Sequence, residues 1–165
     1  FFYIPGIALG TSAATFSSQN FGAGERARIA KGARSGIFMY FCWWLVALVF
    51  VIFLAPTAVK FITGSSNPEV IKNGVLYLRI SIPMIPPMAI LVILRNILQG
   101  MRRPGMPLFC SCLELIGKVI FALWLVPAFG YVAVCVCEPV TWVICCVVIA
   151  VAVFAIRGEF TDRHI

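Results

Sequence analysis

Glu114 and Lys118 are the residues best placed to do chemistry in this chain. They stand four positions apart within Gly105–Pro127, a stretch otherwise apolar. On a helix that spacing puts both on one face, acid first, the better order for an ion pair. Counted from Pro104, Lys118 lies roughly 21 Å along such a helix, well inside a bilayer. An isolated charge at that depth costs ~2.5–3.5 kcal/mol, so the two must pair or face water. The pair then either locks its helix to a neighbour or makes Glu114 a protonatable site beside a solute path.

Further polar residues extend this set. Arg95, Asn96, Gln99 and Gly100 read as the polar mouth of a helix. Arg79 stands sixteen residues earlier, about 24 Å away on a straight helix, where it can snorkel to the opposite interface. Between them, Ile82-Pro83-Met84-Ile85-Pro86-Pro87 breaks the helix. Pro83, Pro86 and Pro87 release the carbonyls of Arg79, Ile82 and Pro83, which must face protein or a wet cavity. The segment is a hinge or cavity lining, or a packed kink satisfied by neighbours. Upstream, Gln19-Asn20-Phe21-Gly22-Ala23-Gly24 precedes Arg26, Arg28, Lys31 and Arg34. This reads as a helix stop followed by a basic interfacial helix, or as a gate formed by Gln19, Asn20, Gly22, Gly24 and Arg26. A lone Gly-x-Gly without a preceding strand is no dinucleotide fingerprint. Glu138 is a weaker candidate near an interface, and His164 reads as solvated in the polar tail.

The elements that carry these residues are long and apolar. Ser35–Val59 is 25 residues without a charge. At 1.5 Å per residue that exceeds the ~30 Å of bilayer hydrocarbon. Hydrophobic residues make up 62% of the chain and charged ones 12%, against about 25% charged in ordinary globular domains. The fold class expected is all-α, a polytopic membrane bundle of five spans near 3–21, 35–59, 75–98, 105–127 and 131–156, with a tail at 157–165. Short connections predict antiparallel neighbours. Gly32 and Gly36 form a small-xxx-small pair suited to close helix approach.

Charge placement sets the orientation. Arg26, Arg28, Lys31, Arg34, Arg102, Arg103, Arg157 and Arg163 fall on one side, Lys60 and Lys72 on the other. By the positive-inside rule the first group is cytoplasmic, with Phe1 outside and the C-terminus inside. The net charge of +7 is therefore topological and implies no nucleic-acid partner. The seven cysteines all lie in apolar stretches. Cys110/Cys112 and Cys135/Cys137 diverge by about 200° on a helix, so they read as core-filling thiols rather than metal ligands. No catalytic set, metal cluster or cofactor motif is read, and an enzyme is the least supported class. A chain that starts at Phe1 inside an apolar stretch reads as a fragment whose upstream part is missing.

In sequence order the chain resembles the C-terminal half of a multidrug and toxic compound extrusion (MATE) transporter. The resemblance is carried by Ala8-Leu9-Gly10-Thr11, Gln19 through Arg26, Tyr77-Leu78-Arg79-Ile80, Arg95-Asn96-Ile97-Leu98-Gln99-Gly100, Pro107, Glu114-Leu115 and Glu138-Pro139-Val140-Thr141-Trp142. It implies one lobe of a two-lobed, twelve-helix fold, these spans matching helices eight to twelve. It also implies antiport of cationic or amphipathic compounds against Na+ or H+ across the plasma membrane. The partners would be the bilayer, a small organic substrate and the N-terminal lobe, with no cofactor beyond the coupling ion. Acidic ion ligands known on helices seven and ten of some members have no counterpart here. Lys118 stands where similar sequences usually carry Arg. Glu114 is then the candidate ion or proton site. The alternatives are a lipid-linked oligosaccharide flippase of the same superfamily or a non-transporting truncated fragment.

Overall fold

The computed structural model describes residues 2–156, and among them the chain is helical without strands. The first helix, α1 (Ile4–Gly22), opens on Pro5 and closes where Gly24 turns to φ +78°. There the Glu25 amide donates to the Asn20 carbonyl. The second helix, α2 (Arg26–Thr63), runs 38 residues unbroken, through Pro56, and stops at Gly64 with φ +63°. The basic residues Arg26 to Arg34 are thus the first turns of a long helix and not a separate interfacial element, since no helix breaker lies between them and Ser35. α3 (Pro68–Ser81) is capped by Asn67, whose side chain accepts from the Glu69 amide at 2.9 Å. A 3-10 turn at Ile82–Met84 leads into α4 (Ile85–Gly100). α5 (Gly105–Ile120) passes through a π-type turn at Phe121–Leu125 into the short α6 (Val126–Phe129). α7 (Tyr131–Ala155) follows the Gly130 turn. Arg157, Arg163 and His164, which entered the orientation and tail readings, lie outside the described residues.

Among the described residues four stretches are long and apolar enough to cross a membrane: Arg26–Thr63, Pro68–Gly100, Gly105–Phe129 and Tyr131–Ala155. Of the five spans expected, α1 falls short of that measure. Its 19 residues include Thr11, Ser12, Thr15, Ser17, Ser18, Gln19 and Asn20, which dilute its hydropathy below that of a lipid-spanning segment.

α4 organises the bundle. Its Ile85, Ala89, Ile93 and Ile97, spaced four apart, meet Tyr40, Ala47 and Val51 of α2 in one buried cluster. Its Leu91 and Leu98 face the other way, onto Cys110 of α5 and Trp142, Cys145 and Ile149 of α7. Cys110 is buried while Cys112 is exposed, the divergence that two-residue spacing dictates on a helix, so the core-filling reading is corrected for Cys112 and for Cys42, which is exposed too. Phe38, Phe53, Leu123, Trp124, Val147 and Phe154 lie exposed on the outside of the bundle. In water such a surface would aggregate; against lipid it is at home.

The proline break has a defined partner. Pro86 cannot donate to the Ile82 carbonyl, and the Trp44 indole of α2 donates to it at 3.0 Å. Gly32 and Gly36 make their approaches to side chains on two different helices, Phe16 of α1 and Ile93 of α4. Backbone meets backbone elsewhere. A Cβ on Gly100 would fall on the Ala14 carbonyl oxygen and within 3.0 Å of the Ser17 Cβ, so α1 lies directly against the end of α4. Gly22, by contrast, faces open space. Gly100→Ala is therefore expected to destabilise the protein in detergent by about 1–3 kcal/mol through overpacking. Gly22→Ala should cost nothing, as judged from paired denaturation curves.

A candidate ion-pair site beside a polar groove

Ser111, Glu114 and Lys118 fall at i, i+3 and i+7 along α5 and so share one side of it. They do not pair with one another. The Arg95 guanidinium, from α4, donates through Nη1 to Glu114 Oε2 at 3.1 Å and through Nη2 to the Ser111 hydroxyl. The Ser111 hydroxyl in turn donates to the Pro107 carbonyl at 3.1 Å. Lys118 Nζ meets Glu138 Oε1 of α7 at 2.9 Å. The expected Glu114–Lys118 pair is thus replaced by two interhelical bridges. The reason is charge economy. A pair within α5 would leave Arg95 and Glu138 uncompensated at membrane depth, whereas pairing outward satisfies all four charges. α5 is pinned on one side to α4 and on the other to α7.

The α5–α7 contact is close at the same level. A Cβ on Gly117 would lie 2.9 Å from Thr141 Cγ2. The buried Thr141 hydroxyl donates within its own helix, to the carbonyls of Cys137 and Glu138. Two turns further along α5, the Cys110 thiol points at the Cys145 carbonyl at 4.0 Å and the Cys145 thiol at the Cys110 carbonyl at 3.6 Å. The Arg95–Glu114 side chains retain 21% and 19% exposure, against 44% and 32% for Lys118–Glu138, so the first bridge is the better shielded.

A cavity of about 590 Å³ opens beside that first bridge, lined by Arg95, Asn96, Gln99 and Ser111 with walls from Pro104 and Pro107. Gln99 also borders a second hollow of about 410 Å³ with Thr15, Ser18 and Gln19 of α1. A third, of about 390 Å³, continues along Thr11, Ser12, Thr15 and Gln19. Shared residues join the three into one polar groove, from the face of α1 across the end of α4 to the ion pair on α5.

The sequence candidates divide accordingly. Arg95, Asn96 and Gln99 come together at the groove, with Gln19 on its far wall and Glu114 behind Arg95 as its ion partner. Lys118 sits on the α7 side with Glu138. Asn20 is buried, its amide donating to the Phe16 carbonyl at 2.8 Å. Gly22 and Gly24 shape the turn after α1, and the Arg26 guanidinium lies 5.3 Å from the centre of the Phe21 ring. Pro83 is exposed and Pro86 and Pro87 half-buried around the Trp44-capped break. Sequence reasoning missed Ser111, Thr11, Ser12, Thr15 and Ser18. The spacing of 11, 12, 15, 18 and 19, one helix face of hydroxyls and an amide, is the signal that could have found them.

Apolar helices on the outside, paired charges within and a polar groove between them define a polytopic membrane protein with a solute-accessible face. The MatE family model matches residues 1–124. The chain belongs to the MATE family of transporters. The match takes in the α1 hydroxyl face, Arg95, Ser111, Glu114 and Lys118. Neither the curated proteins nor the solved structures yield a match to the chain.

Glu114→Gln removes the negative charge that answers Arg95 and leaves the guanidinium a neutral amide oxygen and the Ser111 hydroxyl as acceptors. It is expected to cost about 1.5–3 kcal/mol, the range for hydrogen bonds to charged groups. Lys118→Gln removes the more exposed bridge and keeps an amide donor for Glu138, so it should cost less than Glu114→Gln. Thermal unfolding of both variants in the same detergent checks the order.

Proposed function

We propose that this chain is a lobe of a cation-coupled antiporter, exchanging entering Na+ or H+ for organic, often cationic, compounds. The observation that carries the reading is the Arg95–Glu114–Ser111 cluster at the rim of the polar groove. Glu114 holds Arg95 only while its carboxylate is free. A proton on Glu114, or a Na+ taken by its oxygens with the Ser111 hydroxyl, competes with the guanidinium. The α4–α5 bridge then loosens at the groove. Coupling-ion entry is thereby linked to the packing of the helices that line the solute route.

The hydroxyl face of α1 supports the fifth span. A 19-residue helix of this polarity is tolerable at membrane depth when that face lines a wet cavity and the rest packs on α4 and α2. In the two-lobed arrangement of the family, that cavity lies against the partner lobe, and the lobe alone does not transport. Arg26, Arg28, Lys31, Arg34, Arg102 and Arg103 lie at the connections after α1 and α4, which the positive-inside rule assigns to the cytoplasmic side of the plasma membrane. The flippase alternative needs free cations for an anionic headgroup; of Arg79, Arg95 and Lys118, the last two are each engaged by a carboxylate and, among the described residues, Arg79 alone is not.

The test uses proteoliposomes holding the complete two-lobed transporter and a fluorescent cationic dye. An inward Na+ or H+ gradient should drive dye efflux, and Glu114→Gln should retain dye binding while losing gradient dependence. Gradient-driven efflux undiminished in that variant would remove Glu114 from the coupling. Absence of dye flux, together with competition by an anionic lipid-linked sugar, would select the flippase; absence of both would select a non-transporting assembly protein.

A further inference from the structure

At the opposite end of the bundle from Arg95, a second groove of about 570 Å³ lies between the end of α2 and the face of α3. Pro56, Ile71, Val75 and Leu76 make its walls, and the cations in it are Lys72 and Arg79. The two stand seven residues apart, hence on one face of α3. No acidic residue lines the groove, and neither cation has an ion pair or hydrogen bond among the described residues. Among the described residues the other charges at membrane depth, Arg95, Glu114, Lys118 and Glu138, are paired. Arg79 is the exception.

Depth says what could match it. Pro68–Gly100 is 33 residues, about 50 Å of helix. Centred on about 30 Å of hydrocarbon, it leaves roughly 10 Å outside each boundary. Arg79, eleven residues in, then has its backbone about 6 Å inside the hydrocarbon edge, and Lys72 about 4 Å outside it. Side chains on a helix lean toward its N-terminus, so the Arg79 guanidinium snorkels up toward the level of Lys72. Both heads converge where lipid phosphates sit, with Val75 and Leu76 between their two levels.

We propose that this groove is a binding site for an anionic phospholipid. The headgroup phosphate lies between Lys72 and Arg79, the glycerol ester region rests on Val75 and Leu76, and the acyl chains descend along the apolar outside of the bundle. Two cations with no facing anion favour a headgroup of net negative charge over a zwitterionic one. The place of Arg79 inside the hydrocarbon edge favours a lipid over free phosphate, which stays in water.

The experiment is native mass spectrometry and thermal unfolding of the purified chain in neutral detergent. Phosphatidylglycerol, phosphatidylcholine or inorganic phosphate is added in turn. One phosphatidylglycerol should be retained, with a rise in Tm, and phosphatidylcholine and phosphate should each do less. Lys72→Gln/Arg79→Gln should lose that one lipid and the Tm rise. Without lipid the double variant should be no less stable than the parent, because it removes a charge that the protein itself does not compensate. Arg79→Lys should keep part of the binding, and Lys31→Gln/Arg34→Gln, at the other end, should keep all of it. Equal lipid retention by the Lys72/Arg79 double variant would overturn the proposal. So would equal effects of the two lipids, stabilisation by phosphate alone, or a lipid-free double variant that unfolds earlier, which would mean that the cations serve a protein partner.

Discussion

A charge inside lipid must be answered by another charge, and the arrangement of this bundle follows from that requirement. Arg95, Glu114, Lys118 and Glu138 come from three helices and form two bridges, at 3.1 and 2.9 Å. Dispersion alone holds apolar helices together weakly in a bilayer, because lipid tails compete on equal terms with Leu and Ile. The bridges add what dispersion lacks, a definite register. α5 cannot slide or rotate against α4 or α7 without exposing a charge to hydrocarbon. The Gly117–Thr141 approach and the reciprocal thiol contacts of Cys110 and Cys145 fit only that register.

Around this α4–α5–α7 unit, α1 and α2 pack by shape. Gly100 lets α1 lie on the end of α4, and Gly6 leaves room for the Tyr40 ring of α2. Trp44 of α2 joins the Ile85 amide in donating to the Ile82 carbonyl, to which Pro86 has no N–H to offer. One face of α1 stays polar and uncovered, and it runs into the groove that ends at Arg95. Structure and solute path therefore share a component: Arg95, half of the ion pair that sets the register of α5, also lines the groove. That dual role is what a coupling element requires, since an ion that weakens the bridge also weakens the packing.

Much of the fold is legible from residue type and order alone. Charge-free runs locate the apolar helices, and Gly24, Gly64 and Gly130 mark turns that adopt positive φ. The polar residues Arg95, Asn96, Gln99 and Glu114 were recognisable as a set because each is costly in lipid. Partner choice was not legible. The i, i+4 spacing reports only neighbours on one helix, whereas Arg95 is 19 residues from Glu114 and meets it through tertiary packing. The α1 face escaped notice for the opposite reason. Thr and Ser are nearly neutral in hydropathy, so their stripe lowers the signal of a span without announcing a site. The proline break was legible as a break, but its satisfaction by Trp44, 38 residues away, was not.

Charge exchange tests the interhelical pairing most directly. Arg95→Glu and Glu114→Arg should each destabilise the protein in detergent, and the combined R95E/E114R variant should recover most of the loss. Exchange within α5, E114K/K118E, should show no comparable recovery, because it sets Arg95 against a lysine and Glu138 against a glutamate. Recovery by the exchange within α5 and none by the exchange across α4 and α5 would contradict the arrangement on which the site, the groove and the proposed coupling all rest.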